Sequence, residues 1–302
     1  MTELDVRGLS VRFRLRGAEV RAVTDASFRL RPGRLLALVG ESGCGKSVLA
    51  SALLGLLPGN AEVRGQAELD GLDLLAADEK TLSTKVRGRL VGLVPQSAAT
   101  HLTPVRTARS QLAEAVRALK PEQDVDELAE RVGLPPKMLD LYPHELSGGT
   151  AQRVAIAMAL AGDPPIILAD EPTSGLDRPL VERTVDLLAA LADEGRAVLL
   201  ITHDLAAARR SATDLAVMYA SRLVELGPAP DVFADPFHPY TTGLLGALPE
   251  GGFRPIPGHP PELTNLPDGC AFRPRCPVSD SCGGDPELVR HGDRLVACRR
   301  PC

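Results

Sequence analysis

The chain has 302 residues, 44% hydrophobic and 24% charged, an ordinary balance for a globular protein with a sizeable core. A net charge of −5 and a pI near 5.7 leave no electrostatic footprint for nucleic acid, and no apolar run approaches the roughly 18 residues a membrane span needs. Met1-Thr2-Glu3-Leu4-Asp5 lacks the basic-then-apolar order of a signal peptide, so a cytosolic chain is expected, one that meets a membrane only through a partner.

In the first thirty or so residues, apolar side chains alternate at Val11, Phe13 and Leu15 and again at Phe28 and Leu30, which predicts an antiparallel β layer. Leu35-Leu36-Ala37-Leu38-Val39 follows, a continuous apolar run of the kind buried on both faces in a parallel sheet. It leads into Gly40-Glu41-Ser42-Gly43-Cys44-Gly45-Lys46-Ser47, which has the spacing of a phosphate-binding loop. The glycines let successive N–H groups turn inward around phosphates. Lys46 sets a positive charge against the β- and γ-phosphates, and Ser47 offers a hydroxyl to Mg²⁺. A helix is expected from Ser47 through Leu57, its positive dipole end facing the same anion.

Three more apolar runs end as the first does. Leu90 to Val94 leads through Pro95 to Gln96, Ile166 to Ala169 leads to Asp170-Glu171, and Val198 to Thr202 leads to His203. In an open α/β sheet, ligands sit beyond the carboxyl ends of the strands, so these four strands aim polar groups at one crevice. Between Gln96 and Asp170 the pattern turns helical, and a helical subdomain is placed at about 97–165. Leu112, Val116 and Leu119 share one face, Asp126 to Val132 makes a short helix, and an alanine-rich helix over 151–161 is opened by Leu146-Ser147-Gly148-Gly149. After about residue 228 prolines crowd the sequence and exclude long helices. The boundaries expected are therefore 1–230 for the main domain and 231–302 for an extension.

Adjacent residues at a strand end diverge to opposite sides, so Asp170 can hold the Mg²⁺ shell while Glu171 acts as general base toward an attacking water. Gln96 can reach both Mg²⁺ and that water. Ser147, near a helix start, offers a hydroxyl and free N–H groups to an anion, although Ser is also a favoured plain N-cap.

The phosphate loop followed by Leu146-Ser147-Gly148-Gly149, with Asp170-Glu171 and Ile201-Thr202-His203-Asp204 as the switch motif, resembles the nucleotide-binding subunits of ATP-binding-cassette (ABC) machines. The resemblance covers roughly residues 4–230. It implies an α/β fold, a P-loop NTPase core with an N-terminal antiparallel β layer, a helical subdomain and a Pro/Cys-rich C-terminal extension. It further implies ATP and Mg²⁺ as cofactors, with Ser47, Gln96 and Asp170 around the metal. Glu171, His203 and Gln96 would be catalytic, and His203 would touch the γ-phosphate. In such machines Ser147, Gly148 and Gly149 complete the ATP site of a second subunit, and Ser174-Gly175-Leu176-Asp177 lines that interface. An aromatic ring stacks on adenine; Phe13 is the candidate, or else a core residue.

The tail narrows the resemblance. Pro236-Phe237-His238-Pro239-Tyr240-Thr241, Ile256-Pro257-Gly258 and Gly269-Cys270-Ala271-Phe272 running on to Arg275-Cys276 look like the dipeptide/oligopeptide/nickel importer subfamily. That implies two ATPase subunits, like or unlike, two membrane permeases and an extracytoplasmic substrate-binding protein, with this chain at the cytoplasmic face. Peptides are the expected cargo, nickel or a metallophore the alternative, and a soluble non-transport ABC ATPase the remoter one. Cys270, Cys276, Cys282 and Cys298 follow C-x5-C-x5-C-x15-C. Structural zinc sites usually begin with shorter spacings, whereas four thiolates suit a [4Fe–4S] cluster; a cluster, zinc and no metal are all open. Thr150 stands where the family usually has Gln or a similar residue.

Overall fold

The computed structural model describes residues 2–279 and 284–298. In chain order its strands are β1 Leu4–Leu15, β2 Ala18–Leu30, β3 Arg34–Val39, β4 Ala61–Leu69, β5 Leu72–Asp73 and β6 Val91–Val94. They continue with β7 Ile166–Asp170, β8 Ala197–Ile201, β9 Asp214–Tyr219, β10 Arg222–Pro228, β11 Val289–His291 and β12 Arg294–Val296. The chain forms two compact units, one built on Leu30–Leu35 and Ala77–Thr202, the other on Leu4–Arg29, Leu36–Ala76 and the residues from His203 onward. The second unit thus combines residues from both sides of position 230.

In the first unit β6, β7 and β8 pair in parallel, Val91–Val94 against Ile166–Ala169 and Ile166–Asp170 against Ala197–Ile201. Residues 166–169 and 197–201 are all 0% exposed, which is why these runs are apolar throughout instead of alternating. Helix Gly148–Leu160 packs on β6 and helix Arg178–Asp193 on β8. Helices Ala108–Leu119 and Val125–Arg131 pack against Gly148–Leu160, with Leu112 and Val116 buried as their spacing predicts. The short helix expected from Asp126 starts at Val125, because the Asp124 side chain accepts the N–H groups of Asp126 and Glu127 and sets the start.

The second unit holds the antiparallel layer, in the order β2-β1-β4-β5, with Leu4 opposite Leu69 and Phe13 opposite Ala61. It also holds β3, paired in parallel with β9. From β9 the pairing continues antiparallel through β10 to β12 and β11, so residues 289–296 return to extend the sheet. Helix Lys46–Leu53 is shorter than expected: Leu54 closes it and Gly55 takes a left-handed φ of 62°. The proline-rich stretch forms only short helices, Ala229–Ala234 and Pro239–Gly246. Its core is aromatic. Tyr219, Tyr240 and Phe272 are each at most 2% exposed, with ring centroids 4.5 to 5.4 Å apart in tilted and edge-to-face pairs. Beside them the fully buried Glu225 accepts the N–H groups of Phe237 and His238 at 2.9 and 3.0 Å, and Arg294 lies 3.9 Å away.

Candidate active site

The phosphate loop leaves the end of β3 at Gly40 and enters helix Lys46–Leu53 at Gly45, which takes φ 109° as its N-cap. Two glycines here leave no room for a side chain. A Cβ on Gly40 would lie 2.1 Å from the Met218 carbonyl oxygen, and one on Gly45 would lie 1.9 Å from that of Ala22. The turn Ala220-Ser221, which joins β9 to β10, supports the loop from behind: both residues have positive φ, 42° and 75°. The Ser221 N–H donates to the Cys44 carbonyl at 3.1 Å. Ser42 and Gly43 are exposed at the tip, whereas Cys44, Gly45 and Lys46 are buried.

Lys46 Nζ donates to the carbonyls of Gly40 and Glu41 at 2.9 and 3.0 Å and lies 3.7 Å from Cys44 Sγ. The ammonium therefore sits inside its own loop, and a phosphate must draw it off two carbonyl oxygens. Burial pushes the Cys44 thiol above its usual range, with the Lys46 charge opposing that shift, so the sulfur is a neutral packing group at neutral pH. Glu41 is the member of the loop whose carboxylate is turned toward the extension, where it meets Arg275.

In the other unit, β7 delivers Asp170 opposite Ile201 and then Glu171. Glu171 has φ 44°, a left-handed conformation rare for a residue with a side chain, and its N–H donates to the Ile201 carbonyl at 2.8 Å. Such strain persists only where the surroundings hold it, and it collects at functional positions. The carboxylate oxygen Oε2 accepts from Gln96 Nε2 at 3.2 Å and from Ser174 Oγ at 3.0 Å. Gln96 and Glu171 are thus brought together, and Ser174 joins them as the residue that aims the carboxylate. His203 is exposed, between the buried Thr202 and Asp204, whose side chain caps helix Leu205–Ser211.

Ser147 caps helix Gly148–Leu160, accepting the Thr150 N–H at 3.2 Å. Its hydroxyl also shares a 2.7 Å hydrogen bond with Thr150 Oγ1. Ser147 and Gly148 are exposed, while Gly149 is buried against Leu180, where a Cβ would come within 2.6 Å. Phe13 is half-buried near the end of β1.

Cys270, Cys276 and Cys298 line one cavity with His238, Phe272 and Ala297, and Cys282 lies outside the described residues. Among the described residues no group of three or more His, Cys, Asp or Glu is placed to hold a metal ion, so the expected thiolate site is not assembled by them. No described helix is long and apolar enough to cross a membrane.

Sequence reasoning missed the residues that brace the phosphate loop. Tyr240 and Arg275 stood inside recognisable tail motifs, but their contact with Glu41 spans 199 and 234 positions, beyond any local pattern.

The ABC transporter family profile matches residues 23–174, and that of the oligopeptide/dipeptide transporter C-terminal region matches residues 224–282. The chain is 43% identical over 98% of its length to the oligopeptide transport ATP-binding protein OppD of Mycobacterium bovis, of which it spans about half, 52%. It is 40% identical to OppD of Salmonella typhimurium over 99% of this chain and 93% of that protein. Among solved structures, the dimeric post-hydrolysis state of the ATP-binding cassette MJ0796, bound to ADP and Pi, matches with a TM-score of 0.66 and 25% identity. It covers 75% of this chain and 98% of that one.

Proposed function

The chain belongs to the ABC transporter family, and on that premise we propose that it is the ATP-hydrolysing subunit of a peptide importer. The observation that carries this reading is the coexistence, in one chain, of a complete phosphate loop, a strained and aimed Glu171, and a tail matching the oligopeptide/dipeptide transporter region. In this reading residues to about 230 form the ATPase domain, and 231–302 the extension that marks the importer type.

Roles follow from chemistry. The N–H groups of Gly40 and of Ser42 to Gly45, with the Lys46 ammonium, hold the phosphates of ATP, the Glu41 N–H being taken by Tyr240, and Phe13 stacks on the adenine. Ser47, Gln96 and Asp170 supply oxygen ligands to Mg²⁺, which prefers such hard donors and would neutralise charge on the phosphates. Glu171 accepts a proton from the attacking water, aimed by Gln96 and Ser174, and His203 contacts the γ-phosphate. Ser147, Gly148 and Gly149 cap the γ-phosphate of an ATP held by a second ATPase subunit, whether a second copy or a homologue. Closure of that pair moves two permeases, fed by a substrate-binding protein, with this chain on the cytoplasmic face of the membrane. The direct test is peptide uptake by vesicles carrying the chain with its permeases. ATP-dependent uptake abolished by Glu171→Gln supports the reading; turnover without association with any permease overturns import in favour of a soluble ATPase.

Two finer readings are kept with their tests. Uptake of nickel or a metallophore in place of peptide would reassign the cargo. A [4Fe–4S] cluster on Cys270, Cys276, Cys282 and Cys298 rests on the chemistry of four thiolates alone. Iron and acid-labile sulfide in anaerobically purified protein test it, against zinc or no metal.

A further inference from the structure

Glu41 is the one acidic residue in the phosphate loop, and three of its groups are already engaged. Its N–H donates to the Tyr240 hydroxyl at 3.0 Å. Its carboxylate takes both Arg275 terminal nitrogens, Nη1 at 3.0 Å and Nη2 at 3.1 Å. Its carbonyl accepts Lys46 at 3.0 Å. The Arg275 side chain is only 6% exposed. It is oriented in turn by the Pro257 carbonyl on Nε at 2.9 Å and by Tyr219 Oη at 3.3 Å. Burial opposes the Arg275 charge, but the bonds to Glu41 and Tyr219 outweigh it, so the guanidinium is held more firmly protonated than usual.

We infer that Arg275 and Tyr240 are positioning residues for the ATP site, through which the C-terminal extension sets the shape and charge of the phosphate loop. A carboxylate in a loop that must receive a polyphosphate works against its own ligand. The bidentate fork from Arg275 cancels that charge and fixes the side chain in one plane, which a lysine could not do. Tyr240 fixes the Gly40–Glu41 peptide, whose carbonyl, with that of Glu41, parks Lys46. The extension is thereby part of the nucleotide machinery rather than an appendage.

This inference rests on the reading of the loop as the ATP site. The test is calorimetric titration of the full chain with Mg-ATP, together with steady-state ATPase kinetics, for the wild type, Arg275→Gln, Glu41→Gln and the double variant. Arg275→Gln leaves an unpaired carboxylate beside the phosphates and is expected to raise the ATP Kd and KM about tenfold with kcat within about twofold. Glu41→Gln alone removes the charge and its partner's task together, so its Kd is expected to rise by less than that of Arg275→Gln, about threefold. In the double variant affinity returns to that level. A bracing role confined to the fold would not be rescued by Glu41→Gln. Should Arg275→Gln fail to fold, Arg275→Lys, which keeps charge but loses the fork, is expected to give an intermediate Kd. A folded Arg275→Gln that binds as the wild type does, a double variant as weak as Arg275→Gln, or a wild-type Kd for Arg275→Lys overturns the inference alone. A wild-type chain that binds no ATP overturns the ATP reading as well.

Discussion

The phosphate loop and the turn at Leu146-Ser147-Gly148-Gly149 are both glycine-rich starts of helices, yet they are held in opposite ways. The loop has Cys44, Gly45 and Lys46 buried, and it is bonded to Ser221, Tyr240 and Arg275, all far along the chain. The turn leaves Ser147 and Gly148 exposed, and its cap is made within three residues, by Ser147 and Thr150. A loop braced by distant segments is preorganised for a ligand it holds by itself. A turn closed on itself presents an unspent helix N-terminus, with its free N–H groups, to something that arrives from outside.

The largest effect should come from chemistry that leaves both regions intact. Glu171→Gln keeps the shape and the Ser174 contact but removes the base. Turnover should fall by about 10²–10⁴-fold while ATP binding survives, read by single-turnover hydrolysis beside nucleotide titration. A variant that hydrolyses ATP at the wild-type rate would remove Glu171 from the mechanism.

Glycine substitutions test the comparison directly. Gly45→Ala combines φ 109° with a Cβ 1.9 Å from the Ala22 carbonyl oxygen, and it should destabilise the chain by about 3 kcal/mol or more. Gly148→Ala meets nothing nearer than Leu176 Cδ2 at 3.4 Å, so urea unfolding should move by less than about 1 kcal/mol. Equal costs at the two positions would mean that the loop is no more tightly built than the turn.

The packing behind the braced loop should also show in acid. Burial holds His238 neutral, its pKa lowered from 6.5 to about 4. Unfolding frees the imidazole to take a proton below pH 6.5, so stability is undiminished above that pH, falls as pH drops from 6.5 toward 4, and levels off below. The loss attributable to this residue is roughly 3 kcal/mol. A His238→Gln variant should lose that slope in pH-dependent unfolding, whatever its own stability.

What the sequence discloses divides along the same line. Runs such as Ile166 to Ala169 are legible because burial on both faces demands a continuous apolar string. Asp170, Glu171, Gln96 and Ser147 are legible because each sits at the end or start of an element that local pattern locates. Helix Lys46–Leu53 stops before Leu57 because Gly55 turns left-handed, which composition alone does not dictate. The positive φ at Glu171 is invisible, being imposed by the Ile201 carbonyl from the neighbouring strand. Likewise Glu41 reads as one more loop residue until folding sets Arg275 against it, and the spacing of the cysteines says nothing of the cavity that three of them share.

Thr150 offers the finest test. Its hydroxyl shares a hydrogen bond with Ser147 Oγ, the atom proposed to meet a second subunit's ATP. A threonine therefore fixes the Ser147 rotor. Thr150→Val keeps the side-chain shape and the backbone cap, so stability should change by no more than about 1 kcal/mol. ATP affinity of the isolated chain should stay at the wild-type value, because in the proposed reading this turn serves a second subunit's nucleotide. Turnover of the assembled, permease-bound pair should fall about threefold, since Ser147 loses the partner that orients it. If Thr150→Val instead weakens ATP binding by the isolated chain, the turn belongs to the chain's own site, and the contrast between a braced loop and an outward-facing turn fails.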